Sequence, residues 1–535
     1  GALLSNTTAD NNTAVGYLSL NLNTTGVNNV AVGSLALDAN TTASNNTAVG
    51  SAALSANTTG TANTALGKES LALTTTGSNN TAVGKGCLVS NTTGAFNTAL
   101  GTSALDNNTI ANNNVAIGYA AMDANTTGAS NVAVGALALD ANTTGDSNIA
   151  IGDAALGANT TASFNTAVGY GSLTDNTTGT NGTAVGYQSS ANNTTGGQNT
   201  SIGWNAFGTN TTGSDNTALG KRALFGNTTA DNNTSVGTNS MLSNTTGSSN
   251  TAVGSLALDA NTTAANNTAI GMQSLSTNTT GASNTALGMQ SLFSNTTAAN
   301  NTAVGFQSLR LNTTGASNTA VGKEALPNNT TGANNVGLGL GALYANTTAS
   351  NNTAVGTNSL NANTTGASNS ALGVSSLQAN TTGGSNVAIG QDALYANTTA
   401  DNNTAIGKGS MVANTTGTSN TCIGSSSGVS VTTGDYNVCL GFDAGSHETN
   451  LVTGDKNILI GAFADVLATD SNAATAIGYD VNGAAGYTTL GEGASDIRAA
   501  HGNVTWATVS DERVKKDITD SEAGLSFIND LRPVT

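Results

Sequence analysis

Asn12-Thr13-Ala14-Val15-Gly16 recurs as Asn29-Val30-Ala31-Val32-Gly33 and as Asn46-Thr47-Ala48-Val49-Gly50, 17 residues apart each time. The glycine returns at that interval without slippage as far as Gly424 and Gly441, making 26 motifs. The full unit reads N-[TV]-A-[VIL]-G-x-x-[AS]-L-x-x-N-T-T-G-x-x. Disordered low-complexity sequence drifts in length, because nothing penalises an insertion. A period held over more than 400 residues requires that each unit stack on the next.

Within the unit, the residue before the glycine is Val, Ile or Leu in all 26 motifs, as at Val15, Val32 and Val49. Two residues earlier it is mostly Thr, sometimes Val or Ile. Side chains alternate along a strand, so these two share one face. Both types suit a strand, and that face is expected to supply the inward aliphatic seam. The small residue between them, usually Ala, then points the other way, toward something in close approach; a neighbouring chain is the natural expectation. Four residues after the glycine comes Leu, or occasionally Met or Phe, as a second apolar contact. Gly16, Gly33 and Gly50 are expected at a corner that needs positive φ or close backbone approach. Asn-Thr-Thr-Gly supplies the other corner with turn-prone residues. The reading is all-β: a parallel β-roll or β-solenoid of 17-residue coils. At roughly 4.8 Å per coil it would form a shaft on the order of 125 Å.

Composition narrows the function. Aromatic residues are 4 % and charged residues 8 % of the 535, too few for wide globular cores. The net charge is −17. The first 441 residues hold seven basic ones: Lys68, Lys85, Lys221, Arg222, Arg310, Lys323 and Lys408. No basic patch exists to neutralise phosphates, so no nucleic-acid partner is expected. No apolar run approaches the roughly 20 residues that cross a bilayer, and no membrane insertion is expected of this stretch. Gly1-Ala2-Leu3 already lies inside a repeat and the end reads as cut within a domain, so the chain is expected to be part of a longer one. Cys87, Cys422 and Cys439 fall on small-residue positions and read as apolar fillers, the last two stacked one repeat apart. His447 and His501 look isolated, with no metal spacing. No cofactor and no metal are expected.

Two rows of asparagine stand out. The first motif position is Asn in 25 of 26 coils, Gly182 being the exception. Asn12, Asn29 and Asn46 would stack into an amide ladder. Asn-Thr-Thr makes a second row and matches an N-glycosylation sequon. Asn6, Asn23, Asn40, Asn57, Asn91, Asn125, Asn142 and Asn159 are therefore candidate glycan acceptors. The same residues are also what a turn needs.

Asn131-Val132-Ala133-Val134-Gly135 and Asn386-Val387-Ala388-Ile389-Gly390 resemble the head repeat of YadA-type trimeric adhesins. The resemblance covers about four-fifths of the chain and implies a left-handed parallel β-roll in a homotrimer. This unit departs from it in its 17-residue length and its Asn-Thr-Thr-Gly insert. After Gly441 the spacing breaks, and Ser510-Asp511-Glu512-Arg513-Val514-Lys515-Lys516-Asp517-Ile518 follows. This string resembles the opening of the endosialidase-type intramolecular chaperone at the end of phage tail spikes and fibres. That family trimerises, guides folding and cuts itself off. The resemblance implies Ser510 as nucleophile, Lys515 as general base and Ser510–Asp511 as the scissile bond. A hydroxyl needs an adjacent base, and a partly desolvated Lys can serve. Residues 511–535 carry 10 charges in 25. Thr519 and Glu522 fit a capping box, and Leu525, Ile528 and Leu531 fall on one helix face, so a short helix is expected there.

The organisation expected is a shaft over 1–441, an irregular region over 442–510 and a chaperone fragment over 511–535. The function expected is a viral or phage tail-fibre-like structural protein engaging a host-surface receptor or glycan, on a virion or cell surface. The alternatives are a secreted, glycan-coated fibril and a cell-surface trimeric adhesin. Catalysis on an external substrate has no residue support; a single self-cleavage is the one reaction expected.

Overall fold

The computed structural model describes residues 1–503, 505 and 507–508. The expected helix in 511–535, with Ser510 and Lys515, lies outside them. Among the described residues the secondary structure is strand and turn, with no helix. The chain comprises two compact units, Gly1–Ser317 and Asn318–Thr535.

The first unit is a parallel β-solenoid. Eighteen three-residue strands run from Thr13–Val15 to Thr302–Val304, one per 17-residue coil. Within this unit neighbouring strands pair in parallel and in register, from Thr13↔Val30, Ala14↔Ala31 and Val15↔Val32 to Thr285↔Thr302, Ala286↔Ala303 and Leu287↔Val304. The second unit is built of the same 17-residue coil, with strands from Thr319–Val321 to Val438–Leu440. Three further parallel strands follow at irregular spacing: Ile458–Ile460, Thr475–Tyr479 and Tyr487–Glu492. The pairing then turns antiparallel, with Ile497–Ala500 on Tyr487–Glu492 and Ala507–Thr508 beyond it. A small side sheet joins Asp465–Val466 to Asn482–Gly483.

The interior inverts the expected facing. The strand's central Ala points inward and is sealed: Ala31, Ala48, Ala65 and Ala82 are fully buried. Leu37, Leu54 and Leu71, four residues after the glycine, join them, with Phe207 and Met122 in the same place in other coils. The Val, Ile or Leu before the glycine faces outward, with Val15 59 %, Leu66 45 % and Leu100 44 % exposed. The reason is space. In the 17-residue coils the inner side of the strand is filled by the alanine together with the leucine four residues after the glycine. The close neighbour of the alanine is thus the coil's own opposite wall, not a second chain. Where a strand has Ser201 for Ala, a partner is supplied. Ser190 takes the leucine place, and the two hydroxyls lie 2.7 Å apart.

Each coil holds itself in stack through its backbone. Leu35 and Leu37 both adopt left-handed φ, 59° and 55°. The alternation sends the Leu35 N–H to Tyr17 O in the coil before (2.9 Å) and the Leu37 N–H to Ala53 O in the coil after (3.0 Å). A branched residue in this region costs on the order of 1–3 kcal/mol. Full burial of the leucine and bonds to both neighbours offset it. The strand-ending glycines are at φ 134–139° in Gly16, Gly33 and Gly50, a region an L residue rarely enters.

Candidate functional site

Both asparagine rows are interior structure. In the first, Asn29 Oδ1 accepts the Asn46 N–H at 3.0 Å, and Asn12 Oδ1 accepts the Asn29 N–H at 2.9 Å. Nδ2 of Asn12, Asn29 and Asn46 donates to Gly26 O, Ala43 O and Gly60 O. At these residues the row clamps backbone; elsewhere in the same row it also runs amide to amide, Nδ2 of Asn80 and Asn97 donating to Asn63 Oδ1 and Asn80 Oδ1 at 3.2 Å.

The amide-to-amide ladder is the second row. Asn40 Nδ2 donates to Asn23 Oδ1 at 2.8 Å and to Ala43 O at 3.0 Å. Asn57 repeats this on Asn40, Asn142 on Asn125 and Asn159 on Asn142. Asn91 donates to the Thr74 hydroxyl, which stands in for the missing amide. Asn23, Asn40, Asn57, Asn91, Asn125, Asn142 and Asn159 are fully buried, and Asn6, at the chain's start, gives its Nδ2 to Ala9 O. A glycan bond would consume one of the two N–H groups and would need a path to solvent. The folded coil offers neither at the seven buried positions, so there the sequon reading is replaced by corner chemistry. Sequence reasoning found the row but could not see which way its side chains point.

The outer face carries the aliphatic row with Val15, Val32 and Val49, and aromatic residues beside it. Tyr170 stacks on Tyr187 one coil on, centroids 5.4 Å apart. Lys221 sits 5.4 Å from the Trp204 ring.

Aspartates five residues after the glycine are half-buried. Burial pushes the carboxyls of Asp38, Asp106, Asp123, Asp140 and Asp259 above the usual range. At Asp106 and Asp140 the charge of Asp123 adds to the rise. A carboxyl with a raised folded pKa takes up its proton in the folded state first as pH falls. Stability therefore grows between neutrality and the ordinary value of about 3.9. The urea midpoint of the wild type is expected to rise from pH 7 toward pH 4.5, and Asp123→Asn to flatten that slope. A midpoint that falls steadily over this range would contradict it.

The thiols are inert fillers. Cys422 and Cys439 are register partners in adjacent strands, and all three cysteines are free and buried. Burial pushes Cys87 up to about 12. Cys439 is also raised, by its bond to Cys422 and by burial.

Where the period breaks, the coil acquires chemistry. Between Val438–Leu440 and Ile458–Ile460 the spacing grows from 17 to 20 residues, and the extra length forms a turn at His447–Asn450. Fully buried Asp465 holds it. Its Oδ2 accepts the N–H groups of His447 (3.1 Å), Glu448 (2.8 Å), Thr449 (3.0 Å) and Asn450 (3.4 Å). Phe463 packs on the His447 ring at 4.3 Å and meets Phe442 and Tyr479 edge-on. His447 Nδ1 lies 3.6 Å from Asp443 Oδ2. Asn482 Nδ2 donates to Glu448 Oε2 at 3.3 Å. Glu448, Asp480, Asn482, Asp496 and Arg498 line one cavity of about 330 Å³. His447 was read from sequence as isolated. Its neighbours lie up to 33 positions away, and stacking brings them together.

The described residues thus define a parallel β-solenoid of 17-residue coils. No protein-family model matches the chain, and no curated protein matches it.

Proposed function

We propose that the chain is a structural fibre subunit, of the kind found in viral or phage tail fibres. It would associate with copies of itself into a homotrimer and project attachment parts toward a host surface. The observation that carries this is the outward aliphatic row, repeated once per coil in strict register. An apolar row of this regularity marks a docking face. Only a surface with the same axial spacing can meet it coil for coil, and a second copy of this chain has that spacing by construction. The resemblance of the repeat to YadA-type heads favours three copies. That of Ser510–Ile518 to the intramolecular chaperone favours assembly followed by one cut at Ser510–Asp511, with Ser510 as nucleophile and Lys515 as base. The reading includes no turnover of an external substrate.

The test is sedimentation and a denaturing gel of the full chain. Wild type is expected to run as a trimer. Leu66→Lys with Leu100→Lys, on exposed positions, should weaken association at least about tenfold and leave the β-sheet circular dichroism intact. A short C-terminal fragment should be released from wild type and retained in Ser510→Ala. A monomeric wild type sinks the self-association, and an uncut wild type sinks the cleavage.

A further inference from the structure

We propose that His447, Glu448 and Asp480 form a binding site for a divalent transition-metal ion of the zinc class, with Asp496 beside them. The site would tie the turn at the period break to the coil that follows.

The three side chains each offer one ligand atom, and these atoms lie within 4.8 Å of one another. Tetrahedral ligands bound at roughly 2.0–2.2 Å to a common ion stand about 3.3–3.6 Å apart, so the three side chains close in by about 1 Å, a rotamer-scale movement, to complete the set. His447 and Glu448 are exposed at the turn, and the turn is already fixed by the four N–H bonds to Asp465 described above. Asp443 stands at the imidazole Nδ1. At 3.6 Å this carboxylate is a neighbour rather than a hydrogen-bond partner, and a slight approach would let it orient the ring as such carboxylates do in metal-binding histidines, leaving Nε2 to offer its lone pair. Asn482 holds the Glu448 carboxylate from the other side.

A second observation points to a ligand independently. Asp496 lines the same cavity and is only 8 % exposed. Its Oδ1 is buried with no hydrogen-bond partner. A buried polar atom left unpaired is costly, and an ion in the cavity would satisfy it.

The charges agree. Glu448, Asp480 and Asp496 face one cation, Arg498. Its guanidinium is engaged elsewhere, with Nε donating to Thr489 Oγ1 and the terminal nitrogen to Asn482 O, both at 3.2 Å. One imidazole with carboxylates selects zinc-like ions over calcium and magnesium, which prefer all-oxygen sets.

The test is calorimetric titration of the full 535-residue chain with zinc chloride and, separately, calcium chloride, alongside thermal unfolding. One zinc equivalent per chain is expected, with an upward shift of the unfolding midpoint. His447→Ala and Asp480→Asn should each weaken binding at least tenfold and remove the shift. His501→Ala, the other histidine, should bind as wild type does. Circular dichroism confirms that each variant folds; Glu448→Gln, on an exposed side chain, replaces any that does not. Preference for calcium, binding unchanged in His447→Ala, or no zinc uptake overturns the proposal.

Discussion

Asn142→Asp is expected to cost the first unit about 3–5 kcal/mol at pH 7, the loss seen when a buried charge is left uncompensated. The substitution changes one atom and almost no volume, so packing is not the cause. Asn142 is fully buried. Its Nδ2 donates to Asn125 Oδ1 at 2.8 Å and Gly145 O at 3.0 Å, while its Oδ1 accepts from Asn159 Nδ2 at 2.9 Å. A carboxylate keeps the last bond and turns the first two into oxygen facing oxygen. Taking up a proton restores a donor. The variant's folded carboxyl therefore titrates above the ordinary value, and its deficit shrinks as pH falls through that raised value. Urea midpoints by circular dichroism at pH 7 and pH 4 measure both parts. A deficit under about 1 kcal/mol at pH 7, less than one unsatisfied buried group normally costs, would falsify the buried ladder.

The second large effect is expected at Gly237→Ala, with a loss of about 3–5 kcal/mol from backbone strain and coil separation together. Gly237 has φ 132°. An added Cβ would stand 2.6 Å from the carbonyl oxygen and 2.7 Å from the carbonyl carbon of Gly254 in the next coil. Both neighbours are backbone, so relief requires the coils to part. Gly247→Ala is the matched control. At Gly247 an added Cβ would come nearer still to the next coil, against Ala264 O, but its φ is outside the left-handed region. Ala43, Ala111, Ala162 and Ala230 occupy the same place in other coils and are buried there. Because alanine already fills this place in those coils, the coil can adjust to it, and a loss clearly smaller than at Gly237 is expected, on the order of 1 kcal/mol. Equal losses at the two glycines would contradict the φ argument.

Much of the fold was legible because repetition is itself a structural statement. The 17-residue spacing, the strand at the Asn-x-Ala-x-Gly motif and the corner at the glycine are all where the sequence puts them. Leu37 and its equivalents were recognisable as core. Alternation along Val30–Val32 separates two faces but does not say which is inside, and the heavier aliphatic residues were the natural guess for the interior. Nor did anything in the string reveal that Leu35 and Leu37 take left-handed φ. That conformation is selected by hydrogen bonds to the coils on either side, which a single unit does not contain. The cluster of His447, Glu448, Asp480 and Asp496 was hidden for a related reason. Its members belong to different coils, and the interruption in spacing that creates it looks in sequence like mere decay of the repeat.

By itself the sequence determined the period, the parallel stacking and the places of turn and strand, because a unit that cannot bury its own apolar groups must match its neighbour residue for residue. Only the tertiary structure decided the direction of each side chain. In a coil this narrow the room left by the opposite wall, not hydrophobicity, chooses what enters. The strand's methyl group, one large apolar side chain per coil and a fully bonded amide fill the inside, and the Val, Ile and Leu side chains before the glycine are left on the outside, available to a partner.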